Sequence, residues 1–449
     1  MKKKMLMMLL GASMVLSPLT AFADGEKTKV TFYMWAADAE QDFVKAIVAQ
    51  YEQEHPDVDI EENFIPFAEY LSKINTMAAA DSMPDIFNLP EGNVFEWGEK
   101  GVLLDLKPLY EEAGVKLEDI AVDTSIYATD SSVWAVGYDV TTMCMYYNKD
   151  LLTEAGIEFP SIDAASPWSW DEFVENAKKI TKDSNGNGPD DEGFDPDSIM
   201  VYGTMMPTEW TKFIPLLHTN GTGILNEAGD GLGISSPEGI EVIQSIADLG
   251  NTIHCAPSSA MAKGAFSDAS AMLMNGQVAM VIDGGWAFAN YTREGFDIGI
   301  APIPAFKQAA DTSWTAGLCM SPKAAENEAA FDFYRYYTNF SNSIQAALAQ
   351  GVSLGGLPQT LEVFDGAENE KEWVSTYTKV DATQMCEAFK NILQAETTVL
   401  GDNVRVKNFP VIVENTIVPA LDNVWLGEMT AEEALTSLDL TDSIAGYWR

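Results

Sequence analysis

Apolar positions along the chain change period in a regular way. "KVTFYMWAA", Lys29 to Ala37, alternates and is rich in β-formers, and the segment after it sets Phe43, Val44, Ile47, Val48 and Tyr51 on one helical face. That switch predicts a strand and then a helix stopped at Pro56. "VDIEENFI" predicts a second strand, Tyr70, Leu71, Ile74, Met77 and Ala78 mark a second amphipathic helix, and Asp85 to Leu89 predicts a third strand.

The alternation resumes downstream. Thr141 to Tyr147 reads as a strand entering a helix that ends at Gly156, and Ser169 with Glu172 forms a capping box for a helix burying Phe173, Val174, Ala177 and Ile180. "GIEVIQSIADLG" and "SDASAMLMNG" predict further helices, the second closed by Asn275 and Gly276 before an apolar run, Val278 to Ile282, that reads as a buried strand. "FDIGIAPIP" and "TAGLCMSP" read as crossing strands, and helices dominate from Ala324 onward. Such alternation predicts an α/β fold of mostly parallel sheets flanked by helices. A chain of 449 residues exceeds what one core usually serves, so two lobes are expected. No Pro-rich or Gly/Ser-rich linker separates them, so several strand crossings should join them.

Composition adds constraints. Lys+Arg number 26 against 68 Asp+Glu, a formal charge of −42, which repels nucleic acid and anionic lipid and favours a neutral or cationic ligand. Residues 1–23 have the form of a signal peptide: Lys2, Lys3 and Lys4, an apolar stretch from Met5 to Leu16, then Ala21 and Ala23 flanking a cleavage site after Ala23. No cysteine lies there to accept a lipid, so a freely diffusing periplasmic or secreted protein is expected. Cys144 and Cys319 sit in apolar contexts that suit buried thiols, while a bridge between Cys255 and Cys386 stays open. Three histidines in no metal-binding spacing argue against a transition-metal site, and no nucleotide-binding motif is complete. No cofactor is required. Asp183, Asn185, Asn187 and Asp191 follow calcium-loop spacing, but Phe194 stands where a bidentate Glu belongs, so an Asx-rich turn is the main reading and Ca2+ at the Asp183–Asp191 loop the lesser one.

The candidate site follows from the strand at Val278 to Ile282. Ligands of such folds bind beyond the carboxyl ends of strands, where Asp283-Gly284-Gly285 would turn tightly and present Trp286 at the rim. The C–H face of a sugar can lie on an indole while its hydroxyls reach an acceptor such as Asp283, and Gly285 permits close approach. Trp35 ends the first strand, Trp314 precedes a crossing, and Asn88 and Glu91 close the third strand, so each is a candidate ligand contact. Trp210 is a weaker one, since it shares a helical stripe with Phe213, Ile214 and Leu217. Trp168 stands where a hydrophobic staple with Phe173 would hold it, and Tyr138 and Asp139 lie near a hinge.

"YEQEHPDVDIEENFI", "YYNKDLL" with a later "PWSWDEF", "NGQVAMVIDGGWAF", and "SWTAGLCMSPKAAENEAAFDFYRYYTN" followed by "GLPQT" together resemble the extracellular solute-binding proteins of ABC sugar importers, the maltose-binding-protein-like group. The resemblance implies a two-lobed periplasmic-binding-protein fold with the ligand cleft between lobes. It places crossings near Asp139 to Thr142, near Ile298 to Ala301 and at the end of "MSPKAAE", with lobe 1 at 24–139 plus 300–325 and lobe 2 at 140–299 plus 326–449. It further implies a monomer with no catalytic residues that closes on a neutral sugar or oligosaccharide and delivers it to the permease subunits in the inner membrane. A secreted glycoside hydrolase or other carbohydrate-active enzyme is the alternative, since it too would combine tryptophans with carboxylates.

Overall fold

A computed structural model describes residues 27–36, 38–292, 296–352, 354, 356–377 and 381–448. The signal peptide expected over 1–23 lies outside the described residues. Among the described residues thirteen strands carry the architecture: β1 (Thr28–Trp35), β2 (Val58–Ile65), β3 (Ile86–Leu89), β4 (Ile126–Ala128), β5 (Val133–Gly137), β6 (Thr141–Asn148), β7 (Lys182–Asp183), β8 (Ile199–Thr204), β9 (Val278–Gly284), β10 (Ile298–Ala301), β11 (Asp311–Trp314), β12 (Gly317–Met320) and β13 (Thr398–Leu400). They form two sheets. The first runs β2-β1-β3-β12-β5-β4, and the second runs β13-β11-β6-β9-β8-β7 with β10 added on β6.

Both sheets are mixed, which corrects the expectation of mostly parallel ones. β1 pairs parallel with β2 and β3, as strand-helix-strand units require, but β12 enters antiparallel between β3 and β5. In the second sheet β8 and β9 are parallel, whereas β9, β10 and β11 all pair antiparallel with β6. Both faces of each sheet are covered, as successive residues show: Ile86 and Phe87, and Val281 and Ile282, point to opposite faces and all four are buried.

The crossings differ from expectation in two places. The first falls between β5 and β6, near Asp139 as the resemblance implies. The second lies at Thr315 and Ala316, between β11 and β12, because β10 hydrogen-bonds to β6 within the second sheet. Of the segment 300–325, therefore, only β12 pairs into the first sheet. The helices Glu328–Thr338 and Phe340–Gln350, assigned by the resemblance to the second lobe, pack on β1 and the helix Asp38–Glu54 of the first. The chain returns to the second sheet only afterwards, with the helix Thr383–Leu393 lying against β6 and β10.

Of the expected capping box, the Ser169 half is present. The Ser169 hydroxyl accepts from the Glu172 backbone N–H at 3.1 Å, and Trp168 is buried. No helix among the described residues is long and apolar enough to cross a membrane.

Candidate functional site

A cavity of about 240 Å³ opens where the two inner crossings pass between the sheets. Tyr138 and Asp139 come from the first crossing, Thr315 and Ala316 from the second, and the Thr315 hydroxyl donates to Asp139 Oδ1 at 3.0 Å, tying the crossings together. The Tyr127 hydroxyl, from the first sheet, donates to the Thr315 carbonyl. Around this hinge stand Trp35 at the end of β1, Glu91 just past β3, Trp286 just past β9 and Trp314 at the end of β11. Both sheets thus aim strand ends into one space. A larger cavity, about 400 Å³, is lined by Tyr110, Val136, Arg335 and Thr360 among others and holds none of the tryptophans.

The tryptophans differ in burial, and the difference assigns their parts. Trp286 is 50% exposed while Trp314 is 4% exposed, and their rings lie 6.3 Å apart at 50°. Trp314 is a buried backstop and Trp286 the open face. Trp35 is half-buried and holds its ring edge-on to Tyr70, 5.1 Å between centroids. Two glycines precede Trp286 for reasons of space. A Cβ on Gly284 would sit 2.3 Å from the Trp286 ring, so the indole folds back over bare backbone; one on Gly285 would meet Leu357 at 2.8 Å and Thr141 Oγ1 at 3.2 Å. Gly284 has an ordinary extended φ of −86°, so its role is to leave room, not to adopt a special conformation. The Tyr146 hydroxyl donates to the Gly284 carbonyl at 3.2 Å and fixes the strand end beneath the indole.

Four predicted contacts do not line this cavity: Gly285, buried against Leu357 and Thr141, and Asp283, Asn88 and Trp210. Asp283 does not turn into the cleft: β9 continues through it to Gly284, and its buried carboxylate accepts from Tyr291 and from the Gly284 N–H, with Lys212 at 3.7 Å. Asn88 is fully buried beneath the cavity, accepting from the Trp35 N–H at 3.3 Å and donating to the Tyr138 hydroxyl at 3.2 Å, so it positions two lining residues and does not line the cavity itself. Trp210 packs edge-on against Phe409, 5.0 Å between centroids, and is absent from the cavity wall.

Glu91 does line it. Burial pushes its carboxyl above the usual carboxylate range, its own backbone N–H opposes that, and the charge of Glu414 adds to it. Sequence reasoning missed Thr141, whose buried hydroxyl oxygen has no hydrogen-bond partner among the described residues, and the aromatic wall of Tyr337 and Phe340. Thr141 opens β6 directly after a crossing, which was the available signal. The two aromatics come from helices assigned to the other lobe, which hid them.

Elsewhere, the Asp183 carboxylate is occupied by the chain. It accepts from the N–H groups of Asn185, Asn187 and Asp195 at 2.8, 2.8 and 3.0 Å, as an Asx turn does, and Asp191 accepts from Gly188. Among the described residues no group of three His, Cys, Asp or Glu is placed to hold a metal. All four cysteines are buried free thiols, so Cys255 and Cys386 are not bridged, and burial pushes the Cys255 thiol up to about 12.

Two mixed α/β sheets joined by crossing strands, with an aromatic cavity at the crossings, define a two-lobed ligand-binding protein. The chain belongs to the bacterial extracellular solute-binding protein family, whose model matches residues 37–339. It is 24% identical over 333 residues to the arabinooligosaccharide-binding protein of Bacillus subtilis, covering 70% of this chain and 71% of that one. It is 23% identical over 334 residues to the maltodextrin-binding protein MdxE of the same organism, covering 72% of each. Among solved structures, the ABC substrate-binding protein Lmo0181 of Listeria monocytogenes in complex with cycloalternan superposes with a TM-score of 0.72 at 25% identity, over 93% of this chain and 98% of that one.

Proposed function

We propose that this protein is the exported substrate-binding component of an ABC importer, that it takes a carbohydrate without acidic groups into the cavity at the crossings, and that it hands the ligand as a monomer to membrane permease subunits. The half-exposed Trp286, laid back over Gly284 and facing the cavity, carries the reading: an indole face matches the C–H face of a sugar ring. Polar groups beside it, Glu91, Asp139 and Thr141, suit the ring hydroxyls. The family relationship and the oligosaccharide-binding relatives support the class of ligand. A periplasmic or secreted location completes the proposal. Binding in this reading requires no cofactor, and a calcium ion at the Asp183–Asp191 loop is no part of it.

The test against a hydrolase is direct. Labelled oligosaccharides are incubated with the protein and separated from it afterwards. Stoichiometric retention without new reducing ends is the expected result, and product formation would replace the importer reading with an enzymatic one.

A further inference from the structure

Glu91 opens the helix Glu91–Glu99, stands half-buried in the cavity wall and has no ion-pair partner among the described residues. Among the described residues lining the cavity, Asp139, whose Oδ1 accepts from Thr315, is the other charged one, and none is a lysine, arginine or histidine. Glu414, exposed on the segment Pro410–Ile417, adds a third negative charge close enough to act on Glu91. The whole chain carries −42. A sheltered carboxylate among like charges lacks compensation, and a cleft of one sign concentrates cations and repels anions. The indoles of Trp35 and Trp286 line the same space, and a cation over an indole face is attracted to it. A sugar hydroxyl can donate to Glu91, whereas an ammonium donates and also neutralises it, and a hydrogen bond between ionised partners is the stronger kind.

We infer that the ligand carries a protonated amine, as an amino sugar or an oligosaccharide containing one, and that Glu91 is the residue that selects for it. This rests on the carbohydrate-binding reading above. The same field rejects uronic acids and sulfated sugars. An N-acetylated sugar gains nothing from Glu91 beyond a neutral hydrogen bond, since acylation removes the charge.

Titration calorimetry with matched saccharides tests it. Glucosamine against glucose and N-acetylglucosamine, galactosamine against its counterparts, and the corresponding disaccharides are each measured near neutral pH at low and high salt. In at least one series the amine should bind about tenfold tighter than its hydroxyl and N-acetyl partners, with the advantage shrinking as salt rises. Glu91→Gln should bring that ratio close to one, and Glu414→Gln, at an exposed position, should lower it by about twofold. Hydroxyl sugars that bind as tightly as amines, or a ratio unmoved by Glu91→Gln, would overturn the selection while leaving carbohydrate binding intact. If no saccharide of any kind binds, the carbohydrate reading itself falls and this inference falls with it.

Discussion

The indole of Trp286 lies across Gly284, so close that a single methyl group at Gly284 would sit 2.3 Å from the ring. The strand end and the binding face are therefore one unit. Gly284→Ala should push the ring aside. The contact is with the outer edge of a half-exposed side chain that can swing away, so folding stability should fall by no more than about 1 kcal/mol, the low end of overpacking. Sugar affinity should fall instead, and calorimetry beside urea unfolding would show the split. Unchanged affinity would mean that the position of the ring does not matter.

Trp314 should behave differently. It is 4% exposed and buried among core residues, so Trp314→Ala should cost about 3–5 kcal/mol of folding free energy and weaken binding through a collapsed cleft wall. Chemical denaturation measures this. A variant of native stability would show that Trp314 is not a backstop.

How much of this was legible follows from which interactions are local. β1, β2, β3 and β6, and the cap at Ser169, were readable because period and capping are properties of neighbouring residues. Trp35, Trp286, Trp314 and Glu91 were expected at strand ends, and they line one cavity there. Asp283 was misplaced because nothing in the sequence says that β9 runs two residues beyond its apolar stretch, or that Tyr291 and Lys212 wait for the carboxylate. Asn88 was misjudged likewise: its partners, the Trp35 N–H and the Tyr138 hydroxyl, lie about fifty positions away. Tyr337 and Phe340 needed knowledge of which sheet their helices cover, a long-range fact.

A buried charge cluster makes a pH prediction. Burial alone would raise the Asp402 carboxyl, but the charge of His218, 3.4 Å away, with Arg405 at 3.0 Å and the Ile224 N–H at 2.9 Å, holds it well below the usual carboxylate range. A carboxyl depressed by folding contributes stability that is full above its unfolded pKa of about 4 and is lost as pH falls through the folded value. Asp402→Asn should therefore cost about 3 kcal/mol near neutral pH, the low end for a broken buried pair because Arg405 keeps 27% of its side chain exposed. Urea unfolding of both proteins over a pH series should show the gap narrowing toward acid. A gap that widens there would contradict the assignment.

Trp286 follows the second sheet and Trp35 and Glu91 the first, so a ligand touching all three is gripped best when the sheets approach. Small-angle scattering should show a smaller radius of gyration at saturating ligand, as hinge closure gives. Dialysis against a chelator should leave both binding and closure unchanged. An unaltered profile at proven saturation would remove closure from the account.

The most direct measurement concerns Trp286 itself. Trp286→Ala removes a half-exposed face without opening the core, so calorimetric affinity for a bound saccharide should fall by about 2 kcal/mol or more, the range of an aromatic hot spot, while urea unfolding shows nearly native stability. A protein destabilised by several kcal/mol whose folded fraction binds sugar with native affinity would contradict the account, because Trp286 would then hold the lobe together and not the ligand.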